Sequence, residues 1–422
     1  MDNIINSDLK DRIILSLAQS SFTYKLIRKV GSYYFRKSDS SFLFWLNFYT
    51  RQLEIAYQKK KPVVWASIFT PSELLYALDL IPLYPEMISA SVAALNLAGY
   101  FIETAESNFY SLDLCSFYRV ASGMYLKNCL PRPDMVISTS LLCDGSVKFF
   151  QNVSRYYGCD YYLIDPPYER NQGSRKYLIN ELKKLVQWIS KRTNEQFSPI
   201  KLRKTLELAN QSTLLIKKIN QIREKVPAPL SGWNALAYPL YMYFASLGSR
   251  DGLKFYELLA QEVKNNAIQG IGVVEKERIR ILWLHQLRPY YPNIIWQIML
   301  DYKAVIAFEE ISQVFWLEYD LTQLFSGLAD KILANPGAGT LSRRISSIEN
   351  LIKKYKIDGV IHFNQRGCRQ SCGGASMIKD YLKAKGIPML ILDGDGIDKR
   401  NYSEGQIRTR LEAFFEILSQ NR

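Results

Sequence analysis

The sequence predicts an α/β protein made of two Rossmann-like parallel-sheet domains, with a helical N-terminal arm and a helical middle segment. Short apolar runs bounded by glycine, proline or aspartate recur in two series, between residues 62 and 164 and between 278 and 392, each run followed by a helical pattern. Between the series only helical spacing appears. Strands alternating with helices imply βαβ units with right-handed crossovers. The expected boundaries are 1–60 for the arm, 61–172 for the first sheet domain, 173–276 for the helical segment and 277–422 for the second sheet domain.

The arm shows apolar faces at Ile13, Leu15 and Leu17 and again at Phe42, Phe44, Leu46, Tyr49 and Leu53, and reads as a docking element. The first sheet begins at Pro62-Val63-Val64-Trp65-Ala66. Thr70 is placed to cap a helix whose first position is Pro71 and which turns Leu74, Leu75 and Leu78 inward. Residues Leu80–Leu83, Asp134–Ser138 and Asp160–Ile164 supply the next strands, and Asp165-Pro166-Pro167 ends the series. Leu178, Leu182, Leu185 and Trp188 then stand at helical spacing, expected on helices that cover or bridge the two sheets. The second series runs through Arg278–Leu284, Ala304–Phe308, Gly359–Phe363 and Pro388–Leu392. A closing helix capped at Ser403 buries Ile407, Leu411, Phe414, Phe415 and Leu418.

Composition narrows the function classes. A chain of 422 residues with 48% hydrophobic and 22% charged residues is globular and too long for one ordinary core. No apolar run reaches the roughly 18 residues of a membrane span, and Asp2, Asp8 and Asp11 argue against a signal peptide, so a cytoplasmic protein is expected. The excess of 54 basic over 40 acidic residues is scattered, as at Lys59-Lys60-Lys61, Lys183-Lys184 and Lys353-Lys354, which favours solvated helix faces over a nucleic-acid footprint. Neither a GxxxxGK[ST] loop nor a GxGxxG turn after a strand occurs, so any ATP-driven step belongs to another protein.

Six cysteines and only two histidines, with no CxxC pair, argue against a zinc finger or ribbon. Cys115, Cys143 and Cys368 each fall at a strand or loop end beside a helix start, where the free N–H groups and the helix dipole are expected to lower a thiol pKa. Three such thiolates spread over two domains suit an iron-sulfur cluster in the crevice between them; buried small hydrophobes are the competing reading, and spacing alone leaves both open. Cys129 and Cys159 read as packing residues, and Cys372 is a second-rank candidate. His285 ends a strand and could face the crevice, though a satisfied structural histidine is the favoured reading, and His362, inside a strand, reads as packed. Arg119, Lys148, Arg366 and Arg369 stand near the three cysteines in sequence, placed either to meet ligand phosphates or to sit on the surface.

Several blocks carry a resemblance. Cys115-Ser116-Phe117, Leu130-Pro131-Arg132-Pro133-Asp134, Cys143-Asp144-Gly145, Gly359–Phe363 with Arg366-Gly367-Cys368-Arg369, and Asp393-Gly394-Asp395 with the closing helix occur in an order similar to that of the 2-hydroxyacyl-CoA dehydratase family, which includes benzoyl-CoA reductase type subunits. The resemblance implies a 4Fe-4S cluster whose cofactor-binding and metal-ligating residues are Cys115, Cys143 and Cys368. It also implies a heterodimer with a homologous α-type subunit, an acyl-CoA substrate, and a separate ATP-dependent iron-sulfur activator that injects one electron. The expected reaction is loss of water from a 2-hydroxyacyl-CoA through a ketyl radical, giving a 2-enoyl-CoA. The Arg366–Gln370 context is more similar to the β-type, electron-relaying subunit. A reductase subunit and a non-catalytic scaffold are the alternatives, and the resemblance assigns no catalytic side chain.

Overall fold

A computed structural model describes residues 16, 19–285, 287–313, 317–335 and 337–420. Ile13, Leu15 and Leu17 lie outside the described residues. Among these residues there are two four-stranded sheets. The first contains β1 (Val63–Ala66), β2 (Ile81–Leu83), β3 (Met135–Thr139) and β4 (Asp160–Ile164) in the order β2-β1-β3-β4. The second contains β5 (Ile279–Leu284), β6 (Ala304–Glu309), β7 (Gly359–Gln365) and β8 (Met389–Gly394) in the order β6-β5-β7-β8. Every strand pair is parallel.

The two sheets are therefore wound identically, a repeat that no sequence similarity between the halves announces. In each, the order reverses between the first and third strands of the series, where loops part and a crevice opens at the carboxyl ends. The apolar runs form these strands because helices cover both faces: every residue of β1, β3, β5 and β6 is buried. Trp65 and Trp283, one on the first strand of each sheet, are fully buried, and their indole N–H groups donate to Pro131 O and Leu287 O, both at 2.9 Å.

The helical segment bridges the sheets. Leu178, Leu182 and Leu185 share a core with Val64 and Ile137, while Trp233, Leu236 and Phe244 share another with Ile281 and Trp283. In the arm, the Ser40–Gln58 helix buries Phe48, Leu53 and Ala56, and Ser41 donates its N–H and O–H to Glu262 at 2.8 and 2.5 Å. The Ser21–Tyr34 helix before it buries no residue and leaves Phe22, Leu26 and Val30 exposed. Thr70 does not cap a helix as expected. Its N–H closes a turn on Ser67 O, which directs the hydroxyl back to Ser67 Oγ at 3.2 Å; the helix starts at Ser72, with Pro71 in the cap position. The closing helix spans Glu404–Gln420 and buries the five expected apolar residues.

A three-cysteine cavity between the sheets

Cys115, Cys143 and Cys368 are each the N-cap residue of a helix: Ser116–Leu126, Asp144–Tyr157 and Arg369–Gly373. Cys143 follows β3 and Cys368 follows β7, the equivalent strands of the two sheets, so the shared winding brings the two thiols from opposite sides to one crevice. Cys115 joins them from the loop ahead of its helix. All three line a cavity of about 310 Å³. Among the described residues no three His, Cys, Asp or Glu side chains converge as they would on one ion, so the sulfurs surround a space rather than meet at a point.

The Cys115 and Cys368 loops are held together by close backbone approach. Gly367 has φ +76°, and a Cβ there would come within 2.9 Å of Asp113 O and 3.1 Å of Cys115 N, so only glycine fits without displacement. Beside it, Gln365 accepts the Gly396 N–H at 2.7 Å and donates Nε2–H to Ser116 Oγ at 3.3 Å, while Ser116 donates to Asp395. Arg119 completes this tie. It is buried and paired with Glu106 at 2.6 Å and Asp398 at 3.1 Å, which places it in a structural network and not against ligand phosphates. Arg366 donates to Asn401 Oδ1 at 2.7 Å on the exposed side, and Lys148 and Arg369 are exposed.

Each sulfur has a donor nearby. The Ser146 N–H donates to Cys143 Sγ at 3.3 Å, and Tyr118 Oη lies 3.6 Å from the same sulfur. The Phe117 N–H lies beside Cys115, whose side chain makes no cap hydrogen bond, and His285 Nε2 lies 3.8 Å from Cys368 Sγ. The expectation that helix starts lower these thiol pKa values is overturned for Cys115 and Cys143. Burial pushes both up, and for Cys115 the neighbouring Cys143 and Cys368 sulfurs add to the effect. Loss of hydration outweighs the dipole in this mostly apolar cavity. Cys372 is exposed, and its Sγ lies 3.6 Å from Gln365 O; Cys129 is packed in the first-domain core.

Two titratable groups of the cavity had no distinctive sequence signal. Glu86, at the start of the helix after β2, is pushed up to about 7 by burial, against the pull of its own hydrogen bonds, of which Tyr118 Oη to Oε1 spans 3.1 Å. Its other oxygen has no partner among the described residues. In the sequence, Tyr84-Pro85-Glu86 looks like any helix start with proline first and an acid in the first turn. Arg288 lies in the loop after β5 with its guanidinium 4.4 Å from the Trp233 ring and 5.2 Å from the Tyr290 ring. Burial pushes its pKa down to about 10, and among the described residues it meets no carboxylate. The remaining walls are mostly apolar and aromatic, among them Trp45, Phe69, Met87, Tyr241 and Phe244. The arrangement provides three sulfur donors, a carboxyl able to hold or release a proton near neutrality, and a cation open to an anionic oxygen.

His285 and His362 differ from satisfied core histidines. Both are buried and stack with ring centroids 6.2 Å apart, and burial pushes both pKa values down, His362 to about 4. Neither nitrogen of His362 has a hydrogen-bond partner among the described residues. Glu309, the last residue of β6, and Glu310, directly after it, are taken up by buried arginines: Arg223 binds Glu309 at 2.5 and 2.8 Å, and Arg344 binds Glu310 at 2.6 and 2.8 Å. Burial alone would raise the Glu310 carboxyl, but Arg344 outweighs it and holds the group at about 2.

Comparison with known proteins gives a consistent set of relatives. The family profile described as "2-hydroxyglutaryl-CoA dehydratase, D-component" matches residues 67–418. The (R)-2-hydroxyisocaproyl-CoA dehydratase alpha subunit of Clostridioides difficile is 24% identical over 382 residues, which are 87% of this chain and 92% of the relative. A benzoyl-CoA reductase subunit from Thauera aromatica is 22% identical over 386 residues, 84% of this chain and 89% of the relative. The (R)-phenyllactyl-CoA dehydratase alpha subunit of Clostridium sporogenes is 23% identical over 377 residues, 86% of this chain and 91% of the relative.

Proposed function

The chain belongs to the 2-hydroxyglutaryl-CoA dehydratase D-component family, and from that premise we propose that it is an iron-sulfur subunit of a 2-hydroxyacyl-CoA dehydratase, a hydro-lyase that converts a 2-hydroxyacyl-CoA to a 2-enoyl-CoA and water by way of a ketyl radical. The observation that carries the reading is the apolar cavity lined by Cys115, Cys143 and Cys368. These residues fit a 4Fe-4S cluster: three thiols from two sheets line one mostly apolar cavity, and Cys143 and Cys368 have an N–H or O–H nearby to stabilise a ligand sulfur. Bound there, a cluster would supply one-electron chemistry, with the electron delivered by a separate ATP-dependent activator. Burial favours protonated Cys115 and Cys143 thiols, so loading iron displaces protons.

The chain's own groups then divide the remaining work. The aromatic walls exclude water from the acyl group. Glu86, poised near 7, is the group able to take up or return a proton within the cavity, with Tyr118 orienting its Oε1. Arg288, uncompensated between two rings, attracts an anionic oxygen of the substrate. A cavity with its own acid-base group supports a substrate-holding subunit more than the relay role that the Arg366–Gln370 context suggested. A homologous partner subunit is part of the proposal, as the relatives are named as subunits. A reductase subunit is the second reading, favoured by the Thauera aromatica relative.

Anaerobic purification with the partner subunit, followed by iron and sulfide analysis and turnover with the activator, tests the proposal. Cubane-level iron that is lost in Cys143→Ala together with dehydration supports it. A protein that takes up no iron on reconstitution, or a Cys143→Ala variant with full turnover, sinks it. Ring reduction without dehydration would select the reductase.

A further inference from the structure

His285 stands on a backbone that few non-glycine residues adopt. It directly follows β5 with φ +74°, in the left-handed region that costs a residue with a Cβ some strain. The contact that holds it is visible: the His285 N–H donates to Glu310 Oε2 at 3.0 Å, and Arg344 grips both oxygens of that carboxylate. From this pinned backbone the imidazole reaches the cavity wall, with Nε2 3.8 Å from Cys368 Sγ. Its other nitrogen, Nδ1, has no partner among the described residues. The stacked His362 backs the ring on one side.

Three roles compete for such a side chain. A packing histidine needs neither a strained backbone nor a heteroatom contact. A cysteine-histidine nucleophile pair needs a third group on Nδ1 to orient the base, and among the described residues none stands there. A donor to a ligand sulfur needs only what is present, because a metal-bound sulfur accepts and cannot donate, and Nε2 carries a proton in both the imidazolium and the Nε2–H neutral form.

We propose that His285 donates an Nε2–H···S hydrogen bond to Cys368 and thereby raises the reduction potential of the cluster held by Cys115, Cys143 and Cys368. The inference rests on the cluster reading of the proposed function. The physical basis is that reduction adds negative charge to the sulfurs, so an N–H aimed at one of them stabilises the reduced form more than the oxidised form. His285 is a positioning and tuning residue acting through Cys368, and Arg344 and Glu310 keep it in place.

The chain holds only two histidines, which makes a clean spectroscopic test. The protein is produced with 15N-imidazole histidine, assembled with its unlabelled partner, and reduced. Pulsed EPR should show a weak 15N coupling that survives in His362→Gln and disappears in His285→Gln. Redox titration should place the midpoint potential of His285→Phe, which keeps a ring but no N–H, at more negative values than wild type. His285→Gln, whose amide N–H reaches a similar point, should return it towards wild type. An iron-loaded protein with no histidine coupling, or a loaded His285→Phe with the wild-type potential, overturns the inference while leaving the proposed function standing. A wild-type protein that takes up no iron overturns the proposed function and this inference with it.

Discussion

Replacing Glu86 by Gln removes a carboxyl whose ionisation the fold delays, and its effect on stability depends on pH with a definite sign. In an unfolded chain Glu86 ionises near the ordinary 4.5; in the folded protein burial delays this to about 7. A group with a raised folded pKa contributes its full stability below the unfolded value and loses it as pH rises through the folded one. The wild-type protein therefore loses stability from about pH 4.5 to about pH 7, whereas Glu86→Gln, of the same shape and without the ionisation, does not. At about 1.4 kcal/mol for each pH unit the gap amounts to about 3 kcal/mol. Urea unfolding of the iron-free protein at pH 4.5 and pH 8 measures it: the variant should gain about 3 kcal/mol on wild type between the two conditions. A difference independent of pH would refute the assignment of a protonated, buried Glu86. In the assembled enzyme the same variant should lower turnover by about 10²- to 10⁴-fold if Glu86 handles a proton.

Three further outcomes follow from the geometry. Gly367→Ala forces a Cβ to within 2.9 Å of Asp113 O at φ +76° and should cost about 1–3 kcal/mol in urea unfolding, with iron lost faster to a chelator after reconstitution. Arg344→Gln leaves Glu310 buried without its cation and should cost about 3–5 kcal/mol at neutral pH. Because the wild-type Glu310 carboxyl is held at about 2, its contribution is present above the ordinary 4.5 and is lost only as pH falls through about 2; in the variant the acid-unfolding midpoint should move to higher pH. Arg119→Gln breaks the buried pairs with Glu106 and Asp398 and should cost a similar about 3–5 kcal/mol, measured the same way, while a loss below about 1 kcal/mol would show that the network is not what joins the two sheets.

Much of the architecture was written locally in the chain. Parallel strands covered on both faces require short uninterrupted apolar runs, and Val63–Ala66, Ile279–Leu284 and the other strands lie within a residue or two of where those runs stand. Helix starts obey equally local rules, which is why Cys115, Cys143 and Cys368 could each be placed ahead of a helix. Thr70 shows the limit of that rule, since one backbone turn redirected the hydroxyl.

What only the tertiary structure decided are the properties that depend on residues far apart in sequence. The identical winding of the two sheets sets Cys143 and Cys368 facing one cavity, yet no pattern shared by the halves marks it. Ser116 meets Asp395 across 279 positions, so nothing near Arg119 reveals that it is buried in an ion network. Glu86, Arg288 and His285 carry common residue types in common local settings; only the surrounding chain withdraws water from them and shifts their charge states. The same reason reverses the expected direction for the Cys115 and Cys143 thiols: the helix start is a local feature legible in sequence, whereas desolvation is created by everything that packs around it.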